Sequence, residues 1–139
     1  MSGGSITGCT AEYDPAAPGS HSAAGGGVYV KVESTFTMSG SAIITPSDDR
    51  NIPQKKFNDV YLEESAADHA KIHLTGVLSP QGGTAARLTF GTYSSGMQIL
   101  NGDISTGDNY KRFAVTPGGS PSAKIWYIDS NGKLTQVAP

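Results

Sequence analysis

The sequence is short of charge, of cysteine and of long apolar runs, and each shortage removes a class of explanation. Charged residues make up 16% of the 139, against roughly 25% in ordinary soluble domains. The net charge is only -2, so no basic field exists to hold a nucleic-acid backbone. The single cysteine, Cys9, excludes an internal disulfide. It lies in a Gly/Ser-rich stretch with no basic residue close by to activate it, so it reads as an incidental thiol. The longest aliphatic and aromatic run is Ile125-Trp126-Tyr127-Ile128, far below the ~20 residues of a membrane-spanning helix. Met1-Ser2-Gly3-Gly4-Ser5 has neither the basic region nor the apolar stretch of a secretory signal. That absence fits a protein made and used without export, or one whose leader has been removed. No Asn-x-Ser/Thr sequon occurs. A small domain without disulfides is an ordinary product of a reducing cytosol.

What fills the space is small and polar. There are 16 Ser, 12 Thr, 18 Gly and 8 Pro, a balance that favours strands and turns over helices. Val, Ile, Leu and Phe total only 26. Low hydrophobicity with high net charge would mean disorder, but the charge here is near zero. The length suits one domain.

Two regions are expected. In residues 1–27, 18 are Gly, Ser, Ala or Pro, too little apolar surface to offset the entropy of ordering. This predicts a flexible N-terminal arm, disordered alone and ending in Gly25-Gly26-Gly27. From Val28 the pattern alternates. Val28, Val30, Val32, Phe36 and Met38 share one parity, and Ser34 breaks it at a bulge or bend. Further apolar segments fall at 42–44, 60–63, 70–78, 86–90, 97–100, 113–115, 124–128 and 134–137. Turn signals between them include Asn101-Gly102 and Asp129-Ser130-Asn131-Gly132. Eight or nine short strands at roughly ten-residue spacing predict an all-β domain over 28–139, an antiparallel β-sandwich or jelly-roll-like barrel. Leu78-Ser79-Pro80 followed by Ala86–Phe90 echoes Val115-Thr116-Pro117 followed by Ala123–Tyr127. The echo suggests two similar three-strand meanders, about 70–100 and 110–137.

No catalytic, cofactor or metal site emerges. His69 and His73 would share a face on a helix, but the Ile72/Leu74 alternation makes this segment extended, about 13 Å between them along the axis. Asp68 is the only carboxylate beside them, and two surface histidines is the simpler reading. Asp103, Ser105, Gly107 and Asp108 loosely resemble a calcium loop without its ordered spacing or terminal Glu. Asp129–Gly132 is more simply a turn. Glu63-Glu64 and Asp48-Asp49 are adjacent, so in strands they point to opposite faces and cannot flank a substrate. No nucleophile elbow, Walker loop or dinucleotide fingerprint is present. The expectation is therefore a non-enzyme. Of Trp126, Tyr127, Tyr110, Tyr93 and Tyr61, Trp126 lies in a strand apolar on both sides. Core burial comes first for it, a subunit interface second and a sugar platform third.

A small-residue arm, a compact Ser/Thr/Gly-rich β domain, no signal and no catalytic set together resemble the small decoration (cement) proteins of tailed-phage heads and related virion proteins. The resemblance is one of organisation over the whole chain. It implies a structural virion protein on the virion surface, made in the host cytoplasm. It would be a homo-oligomer bound to the major capsid protein or other virion subunits, with an arm reaching over its neighbours. Charge, hydropathy and the missing motifs add the expectation of no nucleic-acid partner, no membrane and no cofactor. The alternative is a carbohydrate-binding or adhesin-type module such as a tail or fibre tip, acting through exposed aromatics and the 101–109 loop.

Overall fold

A computed structural model describes residues 1–12, 25–45, 55–57, 60–65, 68–118 and 124–139. Among them the strands are, in chain order, β1 (Ser5–Ile6), β2 (Thr10–Glu12), β3 (Val28–Val30), β4 (Thr35–Gly40), β5 (Ile43–Ile44), β6 (Lys55–Phe57) and β7 (Val60–Leu62). They continue with β8 (Lys71–Leu78), β9 (Ala86–Phe90), β10 (Leu100–Gly102), β11 (Phe113–Val115), β12 (Tyr127–Ile128) and β13 (Leu134–Thr135). A 3-10 segment spans Thr106–Arg112, kinked where Gly107 and Asp108 turn left-handed at φ 60° and 57°.

The expected strand positions are largely present, but they do not pair as an antiparallel sandwich or closed barrel. One sheet runs β11-β9-β7-β3 and another runs β10-β8-β4, and every pairing within both is parallel. Val28 pairs with Val60, Val60 with Leu88, and Leu88 with Val115. Phe36 pairs with Ile72, and Ile72 with Leu100. Each strand therefore meets the corresponding strand one circuit of chain later. A third, narrower ladder closes the circuit. Ile6 stacks beside Ile44, the Ile44 N–H donates to Ala85 O at 2.7 Å, and the Ala85 N–H donates to Arg112 O at 2.6 Å. The chain thus winds as an open, three-sided stack of parallel coils.

The winding explains what the alternation could not. β8 and β9 follow each other in sequence but lie in different sheets, so the predicted 70–100 meander does not form. Residues 86–88 instead pair in parallel with 113–115. The break at Ser34 is a corner between β3 and β4, closed by Ser34 N–H donating to Lys31 O at 3.0 Å. Among the described residues two antiparallel strand pairings remain, β2 with β6 and β12 with β13, beside three isolated antiparallel bridges. The second is the hairpin expected at Asp129–Gly132, where Asp129 Oδ1 accepts from the N–H groups of Asn131 and Lys133, both at 2.9 Å.

The first twelve residues do not behave as a loose arm. β1 pairs with β5, the N-terminal ammonium donates to Thr37 O at 2.6 Å, and Ser39 N–H donates to Met1 O at 3.0 Å. Met1 and Ile6 pack against the core of their own chain. The sequence shows why: Met1-Ser2-Gly3 repeats Met38-Ser39-Gly40, and Ile6-Thr7 repeats Ile44-Thr45. Residues 13–24 of the expected arm lie outside the described residues.

The inward side chains form one core. Val60, Leu62, Leu88, Ile72, Leu74, Leu100, Met38 and Ile44 are all fully buried, each contributing roughly 1.5–3 kcal/mol. Where β8 passes β4 the register slips between Met38 and Gly40, so β8 bulges around Gly76. A single buried side chain secures the bulge. Asn109 Nδ2 donates to Gly76 O at 2.9 Å and Asp103 O at 2.6 Å, and its Oδ1 accepts from Leu78 N–H at 2.7 Å. Asp103 adds a carboxylate that accepts from Gly76 N–H at 2.6 Å. Gly102 must be glycine here: its φ is 80° and an added Cβ would press on Leu74 O.

Asn109→Ala leaves these three backbone groups without their partner; the Leu78 N–H is fully buried, and such an orphan costs about 1–3 kcal/mol. Urea unfolding should show a loss of about 3 kcal/mol. A loss below about 0.5 kcal/mol would remove Asn109 from this role.

Candidate functional site

A parallel stack turns every outward position into a column. On the β10-β8-β4 sheet the register aligns Thr37, His73 and Asn101, with Thr35 beside Lys71. His73 and Asn101 are exposed. At the corner end of this face lies a cleft of about 230 Å³ bordered by Glu33, Thr35, Asp68, His69, Lys71 and His73. Glu33 adopts a φ of 67°, a left-handed conformation that costs a non-glycine residue energy. On the other wall, Asp68 Oδ1 accepts from Lys71 Nζ at 2.6 Å and from His69 N–H at 2.8 Å. The Lys71 ammonium first, and the His69 N–H second, hold the Asp68 carboxyl below its usual range. His69 Nδ1 is buried without a hydrogen-bond partner.

His69 and His73 therefore border one cleft although they are four residues apart on an extended segment. Among the described residues no group of three or more His, Cys, Asp or Glu side chains is placed to hold a metal ion. The loop of Asp103, Ser105, Gly107 and Asp108 serves the bulge instead: Asp103 accepts from Gly76, and Asp108 Oδ2 pairs with Lys111 at 3.0 Å. The Cys9 thiol donates to Thr7 O at 3.5 Å.

The adjacent sheet carries a second outward column, Tyr29, Tyr61 and Thr89, which Thr116 extends just past the end of β11. The rings of Tyr29 and Tyr61 stack with centroids 5.3 Å apart and planes at 17°. The hydroxyls of Thr89 and Thr116 meet at 2.8 Å. Tyr29 is 48% exposed. Its hydroxyl donates to Glu63 Oε1 at 2.6 Å, while Glu63 Oε2 accepts from Val32 N–H at 2.9 Å. Glu64 turns to Thr92, accepting from its hydroxyl at 2.7 Å and its N–H at 3.1 Å. Neighbouring acids thus serve separate partners. Asp48-Asp49 lies outside the described residues.

Trp126 is no sugar platform. It is 6% exposed, its Nε1–H donates to Gly118 O at 3.0 Å, and Tyr93 tilts against it. Tyr110 is half-buried, with Lys111 Nζ 5.5 Å from its ring centre. Sequence reasoning gave Tyr29 no role in a site. Its signal was the shared Val-Tyr-aliphatic pattern of Val28-Tyr29-Val30 and Val60-Tyr61-Leu62, whose meaning depends on parallel stacking.

Comparison with protein-family models, with curated proteins and with solved structures returns no match.

The Tyr29–Glu63 bond sets a pH range. The hydrogen bond to Glu63 raises the Tyr29 hydroxyl from 10.0 to about 12, and the same bond lowers the Glu63 carboxyl. A lowered acid contributes stability above its unfolded value and loses it as pH falls through the folded one; a raised phenol contributes below 10.0 and loses it toward about 12. Spectrophotometric titration should therefore show one tyrosine ionising near 12. Glu63→Gln should return that midpoint toward 10.0. An unchanged midpoint in the variant would exclude the bond.

Proposed function

We propose that the protein is a non-catalytic recognition module that binds a glycan chain along its outer face, as a carbohydrate-binding or adhesin-type element of a surface appendage or virion fibre. The in-register column Thr37–His73–Asn101, opening beside the Glu33–Asp68 cleft, carries this reading. Strands about 4.8 Å apart present hydrogen-bonding side chains at a spacing close to the length of one sugar ring. A linear polymer can meet such a column residue after residue, with modest contacts adding along its length. The exposed Tyr29 ring on the adjoining sheet offers an apolar face of the kind sugars stack upon.

The carboxylates support binding over turnover. Glu63, Glu64 and Asp68 accept hydrogen bonds from protein donors that fix strands and turns. Glu63 and Glu64 lie outside the cleft, and Asp68, which shares it with Glu33, is already held by the Lys71 ammonium and the His69 N–H. No helix among the described residues is long and apolar enough to cross a membrane.

The head-decoration role needs an arm able to reach a neighbouring subunit. Residues 1–6 form their bonds with β4 and β5 of the same chain, so the geometry supports the fibre-tip alternative better.

Glycan-array screening followed by calorimetry tests the proposal. His73→Ala and Asn101→Ala should each lower affinity about tenfold, equivalent to one lost hydrogen bond of about 1.4 kcal/mol, with unchanged circular dichroism. Absence of any glycan ligand, or binding indifferent to both substitutions, would refute it.

A further inference from the structure

The parallel sheet β11-β9-β7-β3 ends on each side in a strand with no further strand partner among the described residues. In a parallel ladder alternate residues aim their backbone groups at opposite neighbours. Thr116 N–H donates to Leu88 O at 2.9 Å, so the N–H and C=O of Phe113 and Val115 face away from β9. At the other end Glu63 N–H donates to Val30 O at 2.9 Å, so the N–H and C=O of Tyr29 face away from β7. No described residue pairs with either set. The inner column Val28–Val60–Leu88–Val115 tells the same story. Its middle members are fully buried, while Val28 and Val115 are only half-buried. Beside β11 a groove of about 310 Å³ is bordered by Phe113, Val115, Trp126 and Ile128, and by Ile125, which is 66% exposed.

We infer that a second copy of this chain seats its β3 edge on the β11 edge, so that copies stack end to end along the coil axis. Both edges belong to one parallel sheet, so their strands already run in the same direction and meet by translation. The two ends are stepped in a matching way. On the third side the first rung is Ile6 and the last is Arg112; on the β11 side the first is β3 and the last is β11. Setting Ile6 of one copy on Arg112 of the other therefore brings β3 onto β11. On the remaining side, Met1 covers Ser39 while the β12–β13 hairpin covers Gln98 and Leu100. These caps occupy different halves of that face. The contact is heterologous, so it propagates and does not close.

Sedimentation of the full chain from about 10 µM to about 1 mM tests this. Average mass should rise with concentration and reach no plateau. Ile125→Lys places a charge in the groove at an exposed position, and should weaken association at least tenfold while leaving circular dichroism unchanged. Added in small amounts to the unaltered protein it should shorten the stacks, because its β3 edge still docks. A strict monomer throughout, or a plateau at a closed dimer, would overturn the proposal. So would a monomer whose β11 edge instead binds a synthetic peptide of residues 26–32, which would show an edge that takes strands but not a second copy.

Discussion

Everything in this structure depends on apolar side chains stacking rung upon rung inside a parallel coil. Val60 sits between Val28 and Leu88, and Ile72 between Phe36 and Leu100. A coil with so few large apolar residues cannot close a core alone. Neighbouring coils bury each other's inner faces, and the protein reaches a continuous interior with only 26 Val, Ile, Leu and Phe residues in the whole sequence. The Ser, Thr and Gly surplus then has a structural meaning. Small residues turn the corners, and hydroxyls line the outside.

The sequence made the strands legible because alternation follows from one buried and one wet face. The segments at 28–38, 60–63, 70–78, 86–90 and 113–115 all contain strands. It hid the pairing for the same reason. Parallel sheets are usually covered on both faces and read as unbroken apolar runs. Here the outer faces meet water, so Ile72-His73-Leu74 and Val60-Tyr61-Leu62 look like antiparallel strands. The correct partners lie about a whole circuit away, beyond any hairpin signal. The offset from Phe36 to Ile72 also differs from that between Ile72 and Leu100, so no fixed period stood out. Composition alone hides the part played by residues 1–6: Met1, Ile6 and the Ser-Gly pair cap β4 and β5 because they repeat the sequence beneath them.

The same winding generates the surfaces. A column such as Thr37–His73–Asn101 gathers residues dozens of positions apart, which is why no local motif announced it. Asn109 was invisible for a related reason. It reads as a loop residue, yet it is 0% exposed and joins three backbone groups from two segments. Aromatics went the other way: Trp126, prominent in sequence, fills the end of the core, while Tyr29 and Tyr61 form the exposed stack.

Proton–proton contacts in solution test the coil most directly. Opposed residues in antiparallel strands bring their α-protons together, whereas parallel strands do not. Nuclear Overhauser spectra should show amide-to-α contacts linking Tyr29 to the Val60–Leu62 strand and Tyr61 to the Leu88–Phe90 segment, with no α-to-α contacts among them. Strong α-to-α contacts between residues 71–78 and 86–90 would contradict the account, because they would mark those neighbours in sequence as partners in one antiparallel sheet.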